Sequence, residues 1–234
     1  VIIMEAEQGT VQWKRDRRGI PTASSYSRLI TKTGKPSAQA TGYLHEILAE
    51  WLIGESVVSQ QQGASDWMSR GTDLEAEAVR FYELQTDSET IPTGFCIRDD
   101  RKTGCSPDRI IGKDGGLEIK CPSAKVHVGY MLGVPHDDYV PQIQGCLWIT
   151  GRDWWDFMSY NPALPPVIHR YERDEEYIVR LSEIVNDFIS NLDVAKQSLE
   201  QHRADADDDA DYDDDPFATL SITPIGANGE MLDI

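Results

Sequence analysis

The sequence predicts an α/β protein, and three observations predict it. Two short runs of alternating apolar residues flank a polar, glycine-bearing turn and read as a β-hairpin. Other segments repeat apolar residues at three- and four-residue spacing and read as amphipathic helices. Strand-like and helix-like segments are interleaved along 234 residues, enough chain for one substantial core.

The hairpin spans residues 106–111 and 117–121 around Lys113-Asp114-Gly115-Gly116, whose glycines would accept positive φ in the turn. Side chains alternate across a strand, so Glu118 and Lys120 share one face while Leu117, Ile119 and Cys121 take the other. With Asp108 lying opposite, two carboxylates and an ammonium converge. Such a cluster needs solvent or a neutralising cation, and hard oxygen ligands suit Mg²⁺. The spacing equally allows an exposed hairpin with solvated charges.

From the start of the chain, Gly19 and Pro21 break structure, and Thr22 or Ser24 is placed to cap a helix through Tyr26 to Ile30. Arginines ahead of a hydroxyl-rich helix start suit an anion, or form an ordinary basic loop before a capped helix. Leu44, Ile47, Leu48, Trp51 and Leu52 recur at helical spacing, with Gly54 as C-cap. A second helix over about 67–84 carries Leu74, Ala78 and Phe81 as its stripe, with Glu75 at the border. A strand is expected over 91–98 and a helix over 124–132. A further helix over 140–150 has Pro141 in its first turn and Gln142 and Gln144 off its apolar face. Residues 154–160 and 167–173 read as strands joined by a proline-rich turn at 161–166. Asp174 caps a long helix with Ile178, Leu181, Val185, Phe188, Leu192, Ala195 and Leu199 as its stripe.

The net charge of −18 looks wrong for a protein that handles nucleic acid, but it is unevenly placed. Eight aspartates between His202 and Pro216 leave −10 on the rest, and residues 11–35 carry seven basic residues against Asp16 alone. A local basic surface therefore survives. The aspartate run cannot pack, so the expected organisation is a domain over 1–203, a disordered acidic linker over 204–216 and a tail over 217–234 with no assigned role. The run would keep duplex off the outer surface, offer a handle to a basic site on a partner, or be a solvated tail with no role. Cys96, Cys105, Cys121 and Cys146 form no C-x-x-C pair, which argues against structural zinc and for buried free thiols in a reducing compartment. No secretory signal and no bilayer-spanning stretch are expected, hence no membrane partner.

Pro107-Asp108 with Glu118-Ile119-Lys120 resembles the Pro-Asp…Asp/Glu-x-Lys nuclease motif. Trp13 with Arg17-Arg18-Gly19, Thr22-Ala23-Ser24, residues 71–75, Cys105 to Asp108, Gly116 to Pro122, Tyr139 with Gln142 and Gln144, Trp148-Ile149-Thr150 and Glu172 to Glu175 follow in order. Over about residues 9–200 the chain is similar to the phage lambda exonuclease family, the alkaline 5′→3′ exonucleases of phage recombination systems. The resemblance implies a restriction-endonuclease-like core, a mixed central sheet flanked by helices, in a ring-shaped homotrimer. It implies two Mg²⁺ per site, with Mn²⁺ as substitute, held by Asp108, Glu118, the Ile119 carbonyl and Glu75. Lys120 would orient or deprotonate water, with Gln142 and Tyr139 as helpers, while Arg17, Thr22, Ser24 and Ser106 would grip the 5′-phosphate. The implied substrate is linear double-stranded DNA with a 5′-phosphate, digested to mononucleotides and a 3′ overhang. A single-strand annealing recombinase is the implied partner and the bacterial cytoplasm the implied setting, for a phage or prophage protein. Whether Asp99 supports the metal site stays open. An endonuclease or junction resolvase of the same fold, or an inactive DNA-end-binding accessory protein, are the alternatives.

Overall fold

The computed structural model describes residues 1–54 and 65–209. The chain divides at Ser190, and the first unit, Val1–Ile189, holds both sheets. A five-stranded mixed sheet has the order β2-β5-β6-β7-β8, and a three-stranded sheet has the order β1-β3-β4. The strands are β1 (Ile2–Ile3), β2 (Thr90–Ile91), β3 (Cys96–Ile97), β4 (Gly104–Cys105), β5 (Arg109–Ile111), β6 (Gly115–Lys120), β7 (Trp154–Asn161) and β8 (Leu164–Glu172). The helices are α1 (Val11–Arg17), α2 (Ala40–Ile53), α3 (Ser65–Thr86), α4 (Ala124–Met131), α5 (Val140–Thr150) and α6 (Glu175–Asp209). No helix among the described residues is long and apolar enough to cross a membrane.

The hairpin forms, with a shifted turn. Arg109 pairs with Leu117 and Ile111 with Gly115, so Gly115 and Gly116 lie inside β6 and Gly112 takes the positive φ of 51°. The two strand glycines answer to packing. A Cβ on Gly115 would stand 2.1 Å from the Trp154 ring, and one on Gly116 would stand 2.4 Å from Trp155. β6 runs parallel to β7, Glu118 opposite Phe157 and Lys120 opposite Ser159, with α4 and α5 in the crossover between them. The motif strand is thus the middle strand of the sheet, flanked on both sides.

Leu117, Ile119, Ile111, Met158 and Tyr160 form one buried cluster with Ala78, Val79 and Tyr82 of α3. The buried stripe of α3 is therefore Ala78-Val79-Tyr82, and Phe81 is 41% exposed. The shift has a direct consequence for Glu75, which sits four and seven residues before Val79 and Tyr82 and so on their row, facing the sheet. On α2, Tyr43, Ile47 and Leu48 are buried while Leu52 is exposed, and Gly54 caps the helix at φ 78° as expected.

Three further expectations are corrected. The strand over 91–98 is two short strands, β2 and β3, in different sheets, because Pro92 cannot donate to a ladder. The helix after Thr22 is a 3₁₀ helix, Ala23–Arg28, and Thr22 makes no side-chain cap bond. Pro165 and Pro166 belong to β8, which tolerates them as an edge strand. Asp174 does cap α6, accepting from the Tyr177 N–H at 2.9 Å. In the second unit α6 continues through Asp209, so the first aspartates of the acidic run are helical where a linker was expected from 204. The rest of that run and the tail lie outside the described residues, as do 55–64. The four cysteines are free, three of them buried.

The β6–β7 contact generates a test. Gly116→Ala forces a methyl into the Trp155 ring and should cost about 1–3 kcal/mol, the range for overpacking a core. A urea midpoint unchanged from the parent would contradict this packing.

Candidate active site

The central hairpin places the charges. Asp108 immediately precedes β5, and its Oδ2 accepts the Ile119 N–H at 2.6 Å, which fixes the carboxylate against β6. Glu118 is 2% exposed, in the middle of the sheet. One of its oxygens takes the Lys120 ammonium in close contact, while Oε2 is buried with no hydrogen-bond partner. Lys120 also lies over the Tyr139 ring, 5.5 Å from its centroid. Glu75 comes in from α3, 3.6 Å from Arg109.

These groups line a cleft of about 550 Å³ together with Gln8, Trp13, Arg17, Ser24, Ser106, Ile119, Cys121 and Gln142. Every sequence-predicted site residue except Thr22 and Tyr139 lines it. Thr22 is buried behind the wall, its hydroxyl 3.3 Å from that of Ser24, its N–H donating to the Tyr43 hydroxyl. Tyr139 is reached through Lys120. Asp99 lines a different cleft, with Arg98 and Asp100. The expected anion site at a helix start is not a helix dipole, since the 3₁₀ helix has only six residues. What remains there is the side-chain set of Arg17, Ser24 and Ser106.

Burial dominates the electrostatics. It pushes Asp108 well above the usual carboxylate range, and the Glu118 charge adds to the push. Burial also raises Glu75, with Arg109 opposing it and Glu118 assisting. Lys120 is pulled down by burial, but Glu118 and then Asp108 outweigh that and hold it above its ordinary value. Burial lowers Arg17, and burial beside Glu75 and Asp108 lifts the Cys121 thiol to about 11.

The donor set fits a divalent cation. A buried carboxylate oxygen without a partner is a costly arrangement, and a cation is the ligand that offsets it. The available donors are hard oxygens. Among the described residues no group of three or more His, Cys, Asp or Glu side chains stands ready as a closed cage. Hard oxygen donors suit a hard divalent cation.

Sequence reasoning missed Gln8 and Arg109. Gln8 donates to the Pro107 carbonyl at 2.6 Å and the Thr93 carbonyl at 3.1 Å, pinning the segment that carries Asp108, and nothing in its local sequence signals this. Arg109 had a signal, its place beside Asp108 and two residues before Ile111, on the strand face that meets α3. Gln144, expected off the apolar face, is buried and ties α5 to the start of α6 through the Glu172 carbonyl and the Asp174 N–H.

A mixed sheet flanked by helices, with Asp, Glu and Lys joined on its central hairpin, defines a nuclease of the restriction-endonuclease-like class. The chain belongs to the YqaJ-like viral recombinase family, whose model matches residues 12–153. It is similar to the alkaline exonuclease LHK-Exo of Laribacter hongkongensis, at 30% identity and a TM-score of 0.74 over 84% of this chain and 99% of that one. The structure of LHK-Exo in complex with dAMP matches at 31% identity, with the same TM-score and coverage. A phage-related exonuclease of Haemophilus somnus 129PT shares the fold, with a TM-score of 0.61 at 16% identity over 77% of this chain and 96% of that one. A 60-residue stretch is 35% identical to the uncharacterised Escherichia coli K12 protein ExoD, covering 24% of this chain and 69% of that protein.

The carboxylate energetics predict a pH effect on the metal-free protein. Asp108 holds its proton more tightly folded than unfolded, so its contribution falls as pH rises from the ordinary aspartate range through its raised value. In chelator at neutral pH, Asp108→Asn should therefore unfold at a higher temperature than the parent, and the gap should close at acid pH. A lower melting temperature at neutral pH would contradict the desolvation account.

Proposed function

We propose that the protein is a Mg²⁺-dependent 5′→3′ exonuclease that digests one strand of linear double-stranded DNA from a 5′-phosphorylated end. Mononucleotides leave, and a 3′ overhang remains for a single-strand annealing partner. The observation that carries this reading is the buried, unpartnered Glu118 Oε2 beside Asp108 and Lys120 in a cleft that Arg17, Ser24 and Ser106 also line. Groups suited to a metal and groups suited to a phosphate share one cavity.

Asp108 and Glu118, with the Ile119 carbonyl and Glu75, would hold the cations. Bound there, two divalent ions supply charge neutralisation at the phosphate and a more acidic water. The remaining work belongs to the chain. Asp108 is kept in place by the Ile119 N–H and by the Gln8 anchor on Pro107. Lys120 is the group placed to orient or deprotonate the attacking water. Its state is set by two opposed effects, burial pulling it down and two carboxylates pushing it up. Neutralising those carboxylates leaves burial to lower Lys120, so the ammonium gives up its proton more readily and the free amine can take one from water. Gln142 is placed to hold water or a phosphate oxygen in the cleft, and the Tyr139 ring backs the Lys120 ammonium. Arg17, Ser24 and Ser106 select the terminal phosphate, with Thr22 supporting Ser24. A homotrimer around the duplex would keep the enzyme on its track.

Linear 5′-phosphorylated, linear 5′-hydroxyl and closed circular duplexes, each with Mg²⁺ or chelator, distinguish this reading from internal cleavage and from end binding without chemistry. Mononucleotides should appear from linear DNA with Mg²⁺, fastest from the phosphorylated end, while the circle survives. Glu118→Gln and Lys120→Ala should each lower the rate by at least about a hundredfold, the scale of losing a positioned catalytic group. Cutting of the circle would sink the exonuclease reading. The native mass in solution should be about three times the 26.3 kDa chain, and a processive monomer would remove the ring from the account.

A further inference from the structure

We propose that Trp13 is a positioning residue for the 5′-phosphate, a role that rests on the exonuclease reading above. One indole touches two of the three phosphate-selecting groups. Its ring face lies under the Arg17 guanidinium, 4.1 Å from centroid to Cζ, and its Nε1–H donates to the Ser106 hydroxyl oxygen at 3.1 Å. All three side chains line the same cleft.

The arrangement follows from the helix. Trp13 and Arg17 are four residues apart on α1, so they share a face. Thr10 caps α1, its hydroxyl oxygen accepting the Trp13 N–H at 3.3 Å and its own hydrogen going to the Glu7 carbonyl at 2.6 Å. The register of α1 is thereby tied to the residue that does the positioning. Gln8, two residues before the Thr10 cap, holds the Pro107 carbonyl, one residue past Ser106.

Hydrogen-bond polarity gives the indole its second effect. An indole nitrogen can only donate, so the Ser106 oxygen must accept in this contact. The hydroxyl hydrogen of Ser106 is then committed to another direction and is free to donate to an anion in the cleft. Without the indole N–H, that hydroxyl can turn and present its lone pairs, which an anion repels. The ring acts on the second group through sterics and charge. Stacking restricts the guanidinium of Arg17 within the cleft, where a planar fork can take two oxygens of a terminal phosphate.

The two effects are separable by substitution. Trp13→Phe keeps a ring under Arg17 and removes only the N–H; Trp13→Ala removes both. The readout is the ratio of kcat/KM on a 5′-phosphorylated duplex to that on the same duplex with a 5′-hydroxyl. Trp13→Phe should lower the ratio by about 2- to 10-fold, the worth of one hydrogen bond, and Trp13→Ala should lower it further. Because the N–H acts through Ser106, adding Trp13→Phe to Ser106→Ala should change the ratio no further. A general loss of packing would slow both substrates alike and leave the ratio where it was.

A parent enzyme with no preference for the phosphorylated end would defeat the underlying 5′-phosphate reading itself. A parent that prefers it, with an unchanged ratio in both Trp13 variants, would defeat the positioning role alone. Additive effects of Trp13→Phe and Ser106→Ala would also overturn the proposal. Should Trp13→Ala not fold, Trp13→Phe and the double variant with Ser106→Ala carry the test.

Discussion

The structure depends on the cost of burying charge in the middle of a sheet. Glu118 sits on the central strand, 2% exposed, with one carboxylate oxygen unpartnered, and Asp108 stands beside it, driven toward protonation by burial. Lys120 pairs with one Glu118 oxygen and leaves the other without a partner. An arrangement this unfavourable without a ligand is expected where a ligand completes it, and strain of this kind concentrates at functional sites.

The rest of the fold makes that arrangement rigid. Gly115 and Gly116 let Trp154 and Trp155 of β7 close over β6. Beneath the sheet, α3 packs Ala78, Val79 and Tyr82 against Leu117 and Ile119, and the same row brings Glu75 to the cleft. On the same α3-facing side of the sheet Asp156, also buried, is fully used, accepting from Tyr82 at 2.6 Å and from Arg170 at 2.8 and 2.9 Å. The two buried acids differ: Asp156 has its partners within the chain, whereas one oxygen of Glu118 has none. Buried ionic pairs hold position when every lone pair is met, which Asp156 satisfies and Glu118 does not.

Much of this was legible in the sequence, because the informative signals were local. Alternation along residues 117–121 put Glu118 and Lys120 on one face and Leu117 and Ile119 on the other, and the core cluster has Leu117 and Ile119. Caps at Gly54 and Asp174 were read from residue type alone. The failures were tertiary. The α3 stripe was right at Ala78 and wrong at Phe81, because residue type alone does not tell which of the neighbouring apolar residues Val79, Phe81 and Tyr82 turn to the sheet. Gly115 and Gly116 looked like turn residues because close approach of a tryptophan from another strand leaves no local trace. Helix α1 went unread although Thr10 begins it, since seven residues give too little periodicity. In the site, the grouping of Asp108, Glu118, Lys120 and Glu75 came through, and the supports, Gln8 and Arg109, did not. They act through contacts that only the fold creates.

The central claim is that the unpartnered oxygen of Glu118 belongs to a divalent cation. Isothermal titration of Mn²⁺ into the chelator-treated protein tests it directly, with electron paramagnetic resonance to count bound ions. The account predicts saturable binding that Glu118→Gln weakens by at least about tenfold, the scale of losing one charged ligand, while Asp156→Asn leaves it near the parent value. Equal Mn²⁺ affinity in the parent and Glu118→Gln would contradict it.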